Sequence, residues 1–280
     1  MTWFFYALTT AVLFSAWSLL SRILSVKSEN PRAFSVVYNI LAAGCALLLL
    51  AFQPQAFRPL PVGAVIVSIL ALLIWSVYGR TEFYATKYVE ASTLSILSRV
   101  APLVTFSVSI LVFRESATAV KIVAAGLIMG GNVLAVYQKG GARITRGVGY
   151  ALITATAAGL GWVCDKYLVT FYPLALYAAL SYAAPNFLVA LFPPLPKGAI
   201  GKELRRGSWK ILILAGCAVG GYFFQLKAFL VGEASRVILV TSTSSVLTIL
   251  LGIILLGETN NLKRKILAGL LVFIGIVLME

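Results

Sequence analysis

Long apolar stretches alternate with short polar connections along the whole chain, and charged residues, proline or glycine bound each stretch. A hydrocarbon core about 30 Å thick needs about 20 apolar residues in a helix. Stretches of that kind cover residues 3–21, 34–52, 62–80, 92–113, 119–137, 147–168, 172–192, 210–230, 236–256 and 263–279. The pattern predicts an all-α integral membrane protein with ten transmembrane helices. The first stretch lacks a preceding basic segment and a small-residue cleavage site, so we expect a transmembrane helix there and not a secretory signal.

One segment occurs twice. EASTLSILSRVAPLVTFSVSILVFRE (Glu90–Glu115) aligns without a gap to EASRVILVTSTSSVLTILLGIILLGE (Glu233–Glu258), at an offset of 143 residues. The duplication predicts two five-helix repeats, residues 1–140 and 141–280. An odd number of helices inserts the second repeat upside down, which is an arrangement found in many secondary transporters with a central substrate site. The four glutamates mark the ends of helices four and nine, and Glu90 and Glu233 complement the positive N-terminal dipoles of these helices.

Composition supports a membrane location. The chain is 60% hydrophobic and 11% charged, with a mean hydropathy of +0.96. A net charge of +14 would suggest a nucleic-acid partner in a soluble protein, but the basic residues cluster in KGGARITR, PKGAIGKELRRGSWK and KRK, which are short connections. We therefore expect contact with the lipid bilayer and no nucleic-acid partner. Most basic residues lie in or beside the odd-numbered loops, so the positive-inside rule places both termini outside the cell.

Four motifs, in order along essentially the full chain, support a family resemblance. YATKYVEAS, SRVAPLVTFSVSILVFRE, KIVAAGLIMGGNVLAVY and LLGETNNLKRKILAGLLVFIGIVL resemble the ten-helix, EamA-like members of the drug/metabolite transporter superfamily. The resemblance implies an exporter of amino acids or other small metabolites in the bacterial inner membrane. It also implies cytoplasmic termini, against the charge rule, and a cavity lined mainly by helices one, three, four, six, eight and nine. Ser245 replaces Pro102 in the second repeat, so a proline bend is predicted for helix four and stays open for helix nine.

Three ionisable residues are candidates for the substrate site. Arg99 lies inside an apolar stretch, where a guanidinium suits a substrate carboxylate; a structural ion pair and a snorkelling side chain are the alternatives. Glu82, whose repeat partner is Gln225, could hold a substrate ammonium, carry a coupling proton or pair with Arg99 or Arg80; a hydrated helix end is the further alternative. Asp165 could act in the same way, but an interfacial ion pair with Lys166 is favoured.

Aromatic and hydroxyl side chains complete the predicted site. Ring faces in a cavity favour aromatic or aliphatic substrates and attract an ammonium group by cation–π contact, although rings within membrane spans also serve packing and interfacial belts. The hydroxyl run TSTSS at residues 241–245 could bend helix nine or contact a polar substrate. The predicted substrate-binding residues are Trp17, Tyr38, Tyr78, Glu82, Arg99, Trp162, Tyr222 and Ser244.

Several classes of site are excluded by the sequence. The chain has no histidine, isolated cysteines and no GxxxxGK[ST] motif, so we predict no metal, cofactor, catalytic residue or ATP site. The GxxxG patterns Gly126–Gly130 and Gly216–Gly220 predict close helix packing.

The predicted function is a secondary active or facilitative exporter of small metabolites, most of all amino acids, that works by alternating access as a monomer or homodimer. The alternatives are a multidrug or other metabolite exporter, a passive channel, and a lipid-modifying membrane enzyme.

Overall fold

The computed structural model describes residues 2–52, 59–89, 94, 96–136, 146–191, 194–247 and 262–279. Within these ranges every regular element is a helix. The helices are α1 (Thr2–Val26), α2 (Pro31–Leu50), α3 (Val62–Tyr88), α4 (Val100–Phe113), α5 (Ala119–Val136), α6 (Arg146–Leu168), α7 (Leu174–Leu191), α8 (Ala199–Val231), α9 (Ala234–Thr241) and α10 (Leu262–Met279). Six of them, α1, α2, α3, α6, α7 and α8, are long and apolar enough to cross a membrane. The prediction of an all-α, multi-pass membrane protein is confirmed.

The two largest extensions beyond the predicted apolar stretches are in α3 and α8. Helix α3 continues to Tyr88, beyond the predicted end at residue 80, because its Thr81 and Glu82 are buried against other helices and need no contact with water or lipid. Helix α8 begins at Ala199, before the predicted start at residue 210. The added segment is basic and ends at Ser208, where a φ of 51° and a ψ of −152° separate it from the rest of α8.

The helix contacts follow an approximate two-fold symmetry that exchanges each helix with the one five places along the chain. Helix α3 packs on α6, and the equivalent pair α8 and α1 are also in contact. The pair α4–α6 corresponds in the same way to α9–α1. The pairs α2–α7, α5–α10 and α4–α9 are their own equivalents. This pattern is the one expected of two inverted five-helix repeats.

Helices four and nine are both interrupted at equivalent points. In the first repeat, a turn at Ser98 and Arg99 precedes α4. In the second, a turn at Ser242 and Thr243 ends α9, and a short helical segment, residues 244–247, follows it. The hydroxyls of Ser242 and Thr243 donate to the backbone carbonyls three residues earlier, at 2.7 Å each, and compete with the helical hydrogen bonds. The hydroxyl run therefore breaks helix nine without a proline.

The two membrane faces can be told apart by contacts between connections. The Lys87 ammonium at the end of α3 donates to the Ser28 and Glu29 carbonyls after α1. Trp3 at the start of α1 packs on Gly232 between α8 and α9. We call the face with Trp3 and Gly232 the terminus side. We call the opposite face, with Ser28, Glu29 and Lys87, the basic side. The predicted boundary at 140/141, Glu90 and Glu258 lie outside the described residues.

Close helix packing depends on glycines next to those in the predicted motifs. A Cβ at Gly126, Gly130 or Gly216 would meet no atom within 4 Å, so the prediction for these three is wrong. A Cβ at Gly131 would lie 2.7 Å from Val272 Cγ2 and 2.8 Å from the Ala268 carbonyl oxygen on α10. A sequence motif does not reveal which face of a helix meets its neighbour, and the packed glycine is one residue further on.

Gly131→Ala is expected to lower the free energy of unfolding by about 1–3 kcal/mol, because the added methyl group forces α5 and α10 apart. Gly130→Ala is the matched control: its methyl group enters open space and helix propensity alone favours it by up to about 1 kcal/mol. Thermal unfolding of the detergent-purified variants measures both. Equal stability of the two variants would contradict the packing argument.

Candidate functional site

A cavity of about 420 Å³ is lined by residues of both repeats and lies toward the basic side. On α1, which runs from the terminus side to the basic side, its lining residues start at Phe14 and end at Ser21. The chain of helix four runs the opposite way, and its lining residues extend only from Leu94 to Pro102. The cavity therefore occupies the basic-side half of the molecule.

All eight predicted site residues line this cavity. They are Trp17, Tyr38, Tyr78, Glu82, Arg99, Trp162, Tyr222 and Ser244. The set of lining helices is wider than the resemblance implied, because α2 contributes Tyr38 and Asn39, and α7 contributes residues from Ser181 to Val189. These two helices contact each other and bring polar side chains to the site from both repeats.

Arg99 lies at the interruption of helix four and reaches across to helix nine. Its Nη1 donates to the Ser242 carbonyl oxygen at 2.9 Å and to Ser245 Oγ at 3.2 Å, and its Nη2 donates to Ser98 Oγ at 3.0 Å. These hydrogen bonds place the guanidinium at the boundary between the repeats, where Arg99 lines the cavity. A guanidinium fork suits a carboxylate group.

Glu82 supplies a carboxylate to the same cavity. It is only 8% exposed, and its Oε1 accepts a hydrogen bond from Tyr78, one turn earlier on α3. A hydrated helix end, one of the alternatives, is therefore wrong for Glu82. The equivalent residue in the second repeat, Gln225, is fully buried, and its side-chain amide has no hydrogen-bond partner among the described residues. The two repeats thus differ in charge at this position.

Two amide side chains were missed by the sequence reasoning. Asn39 and Asn186 line the cavity, and the Asn186 amide nitrogen donates to the Val36 carbonyl oxygen at 3.2 Å. Asn186 is 5% exposed, and its Oδ1 has no hydrogen-bond partner among the described residues. The only available signal was an amide next to a proline inside an apolar helix. An acceptor of this kind suits a substrate N–H group.

An aromatic wall connects the predicted rings with two that were not predicted, Trp75 and Tyr182. The Trp75 ring lies 5.2 Å from that of Tyr78 and 6.4 Å from that of Tyr222, centroid to centroid. Tyr182 lies 5.7 Å from Tyr222 and 6.2 Å from Tyr38. All four pairs are edge-to-face, the arrangement that aromatic quadrupoles favour. We define these five rings as the aromatic wall.

Asp165 lies behind this wall and does not form the favoured ion pair with Lys166. It is fully buried, and its carboxylate accepts hydrogen bonds from Trp75, Tyr177 and Tyr222. The Lys166 ammonium donates instead to the backbone oxygens at the end of α8, including that of Gly232 at 2.7 Å. Adjacent opposite charges suggested an ion pair, but neighbouring residues on a helix point about 100° apart.

A charged cluster closes the terminus side. The Lys121 ammonium, at the start of α5, lies 2.9 Å from Glu233 Oε2 and 3.8 Å from Glu115 Oε2. Arg236 Nε lies 2.9 Å from Glu233 Oε2. Glu115 also accepts hydrogen bonds from the backbone N–H groups of Ala234 and Ser235, at 2.7 and 3.0 Å. The N-terminus of α9 is therefore capped by Glu115 of the other repeat, whereas Glu233 makes no cap hydrogen bond.

The charge of Glu233 is favoured by this environment. Partial burial acts to raise its pKa, but the hydrogen bond and charge of Lys121 and the charge of Arg236 outweigh burial. The pKa of Glu233 is therefore held below its ordinary value of 4.5. The cluster joins the α4–α5 connection of the first repeat to the α8–α9 connection of the second. None of its four residues lines the cavity.

The described residues contain no group of three or more His, Cys, Asp or Glu side chains that could hold a metal ion. Cys45, Cys164 and Cys217 are free thiols. Among the described residues, the cavity lining instead combines one guanidinium, one carboxylate, neutral amides and hydroxyls, and a row of aromatic rings. Such a set can bind a small ligand that carries both charges.

Comparison with known proteins gives a consistent result. The model of the EamA-like transporter family matches residues 1–137 and again residues 145–280. One solved structure, described only as the crystal structure of a protein, is 16% identical in sequence with a TM-score of 0.75. The match covers 100% of this chain and 98% of that chain, and it supports the fold. No curated protein matches the sequence.

Proposed function

Because the chain belongs to the EamA-like transporter family, within the drug/metabolite transporter superfamily, we propose that it exports small metabolites, namely amino acids with aromatic or aliphatic side chains, by alternating access. Members of this family are transporters, and the chain is accordingly an integral membrane transporter. The proposal concerns its substrate, its mechanism and its location in a bacterial inner membrane. We propose no catalytic reaction for it.

The observation that carries the proposal is the presence of Arg99 and Glu82 in one cavity. An amino acid is a zwitterion, and a guanidinium and a carboxylate suit its two charged groups. The cavity volume of about 420 Å³ is within the range of small-molecule sites. The aromatic wall and Trp162 offer apolar surface for a side chain and faces for cation–π contact with an ammonium. A substrate without charges would leave both ionic groups without a ligand partner.

Alternating access is supported by the position of the cavity relative to the charged cluster. The cavity lies toward the basic side, whereas Glu115, Lys121, Glu233 and Arg236 join the two repeats on the terminus side. Inverted repeats permit the opposite arrangement by a rocking motion about the central site. We propose that this conformation is one of two related states and that substrate enters the cavity from the basic side in this state.

The direct test is uptake of labelled amino acids into proteoliposomes, with an aromatic and an aliphatic panel and with or without a pH gradient. We expect saturable uptake of at least one member of each panel. Empty liposomes provide the background rate. Uptake that rises linearly with concentration would indicate a channel, and saturable transport of lipophilic cations alone would favour a multidrug exporter.

Glu82→Gln separates two roles for the carboxylate. If Glu82 holds the substrate ammonium, as we propose, the variant weakens amino-acid binding by about tenfold, since hydrogen bonds to a charged group contribute about 1.5–3 kcal/mol. If it carries a coupling proton instead, exchange of labelled for unlabelled substrate continues and only the response to a pH gradient is lost. Glu29→Gln, an acid in the α1–α2 connection outside the cavity, is the control and should leave both readouts unchanged.

A further inference from the structure

One buried carboxylate joins four helices around the cavity. Asp165, on α6, is 0% exposed. Its Oδ1 accepts from Trp75 Nε1 on α3 at 3.1 Å and from Tyr177 Oη on α7 at 2.6 Å, and its Oδ2 accepts from Tyr222 Oη on α8 at 2.8 Å. Trp75 and Tyr222 line the cavity, whereas Asp165 and Tyr177 do not. Asp165 therefore reaches the cavity only through the two rings that it holds.

A second feature of α6 holds the Trp75 indole in place. A Cβ at Gly161, one turn before Asp165, would lie 2.8 Å from the indole atoms Cε2 and Cζ2 of Trp75. The ring thus lies flush against the helix backbone while its N–H is bound by the carboxylate. Tyr222 is fixed in a similar way, because its hydroxyl also lies 3.2 Å from Ser181 Oγ. Both rings are held at their polar atoms, which leaves their apolar surfaces for the cavity.

From this geometry we propose that Asp165 is a positioning residue that fixes the Trp75–Tyr222 part of the aromatic wall and so sets a preference for ring-bearing amino acids. The preference rests on the proposed function; the positioning does not. Edge-to-face ring contacts require a defined angle, whereas an aliphatic side chain tolerates a displaced wall. Loss of the anchor should therefore weaken binding of phenylalanine more than that of leucine.

Two substitutions separate position from charge. Asp165→Asn keeps an oxygen that can accept from Trp75 and Tyr177, and its NH₂ group can donate to the Tyr222 oxygen. Asp165→Leu removes every acceptor at similar volume. We expect the ratio of phenylalanine to leucine affinity to stay within about twofold of the parent in Asp165→Asn and to fall about fivefold in Asp165→Leu. An equal loss in both variants would assign the role to the charge and overturn the proposal.

A milder pair of variants avoids the risk that Asp165→Leu does not fold. Tyr177→Phe removes one hydrogen bond to Asp165 from outside the cavity and should lower the affinity ratio by about twofold. Tyr172→Phe is the matched control, because its hydroxyl lies 2.9 Å from Ser68 Oγ and does not contact Asp165. A ratio that is unchanged in Tyr177→Phe, or changed equally in both, would contradict the proposal.

A readout without substrate tests the positioning directly. The ¹⁹F NMR spectrum of protein labelled with 5-fluorotryptophan reports on each indole, and a Trp75→Phe variant assigns the Trp75 signal. We expect this signal to shift in Asp165→Leu and in Tyr177→Phe, but not in Tyr172→Phe. An unchanged signal would overturn the positioning role. If the parent protein binds neither phenylalanine nor leucine, the proposed function and the preference fail together, and the ¹⁹F spectra alone decide the positioning.

Discussion

Arg99→Gln is expected to lower kcat/KM for amino-acid uptake by roughly 10- to 100-fold. Hydrogen bonds that involve a charged group contribute about 1.5–3 kcal/mol each, and about 1.4 kcal/mol corresponds to a factor of ten. The glutamine side chain is neutral and cannot reproduce the guanidinium fork toward a carboxylate. Uptake of labelled substrate into proteoliposomes, at matched protein density, measures the loss.

Two controls distinguish substrate binding from a structural role, since Arg99 also connects helix four to helix nine through Ser242. Arg114→Gln removes a guanidinium just after α4, outside the cavity, and should not change uptake. Phenethylamine lacks a carboxylate, so its affinity for Arg99→Gln should equal its affinity for the parent protein in binding assays. Equal loss of affinity for phenylalanine and phenethylamine would show that Arg99 acts only on the structure.

Lys121→Met is expected to destabilise the protein by about 3–5 kcal/mol, because it removes the cation beside the buried Glu115 carboxylate, whereas Glu233 keeps its contact with Arg236. Lys121 is 2% exposed and Glu115 is 6% exposed, so water cannot replace the lost ammonium. Thermal unfolding in detergent measures the change. The double variant Glu115→Gln/Lys121→Met should recover part of the loss, since it also removes the carboxylate that has lost its cation.

Arg236→Gln provides the comparison within the same cluster. Arg236 and Glu233 are each about one-third exposed, and exposed pairs contribute at most about 1 kcal/mol. Equal destabilisation by Lys121→Met and Arg236→Gln would contradict the importance of burial.

We also expect the stability of the charged cluster to depend on pH. Because the pKa of Glu233 is lowered in the folded protein, its contribution is fully present above 4.5 and is lost only as the pH falls through the lowered value.

The fold and much of the cavity could be predicted because the bilayer imposes simple rules. Apolar length located the helices that the structure describes, and the duplicated segment indicated their inversion. Arg99 was recognised because a charge inside an apolar stretch is costly unless a protein interior receives it. The rings and Ser244 followed from the choice of helices, and the structure places them together; their contacts with substrate stay predictions.

The features that were missed depend on which face of a helix meets which neighbour. Asp165 was assigned to an interface because Lys166 adjoins it in sequence, yet the two side chains point to different helices. Trp75 was overlooked because only the partner helix α6, with Gly161 and Asp165, makes it a fixed part of the wall. Gly131 was missed in the same way beside its motif. Periodicity in one helix carries no information about the partner helix.

Arg99 and Ser242 stand 143 residues apart, the offset of the duplicated segment, and they are in hydrogen-bond contact. Equivalent residues can touch only where the symmetry axis passes between them. In an antiparallel dimer of two identical polypeptides, a second arginine would occupy the place of Ser242, and two cations would repel each other strongly in a medium of low dielectric constant. A single positive charge at this axis therefore requires halves that have diverged. Fusion of two gene copies permits the two halves to diverge at this position. Two identical half-length chains that assembled with each other could not have differed there.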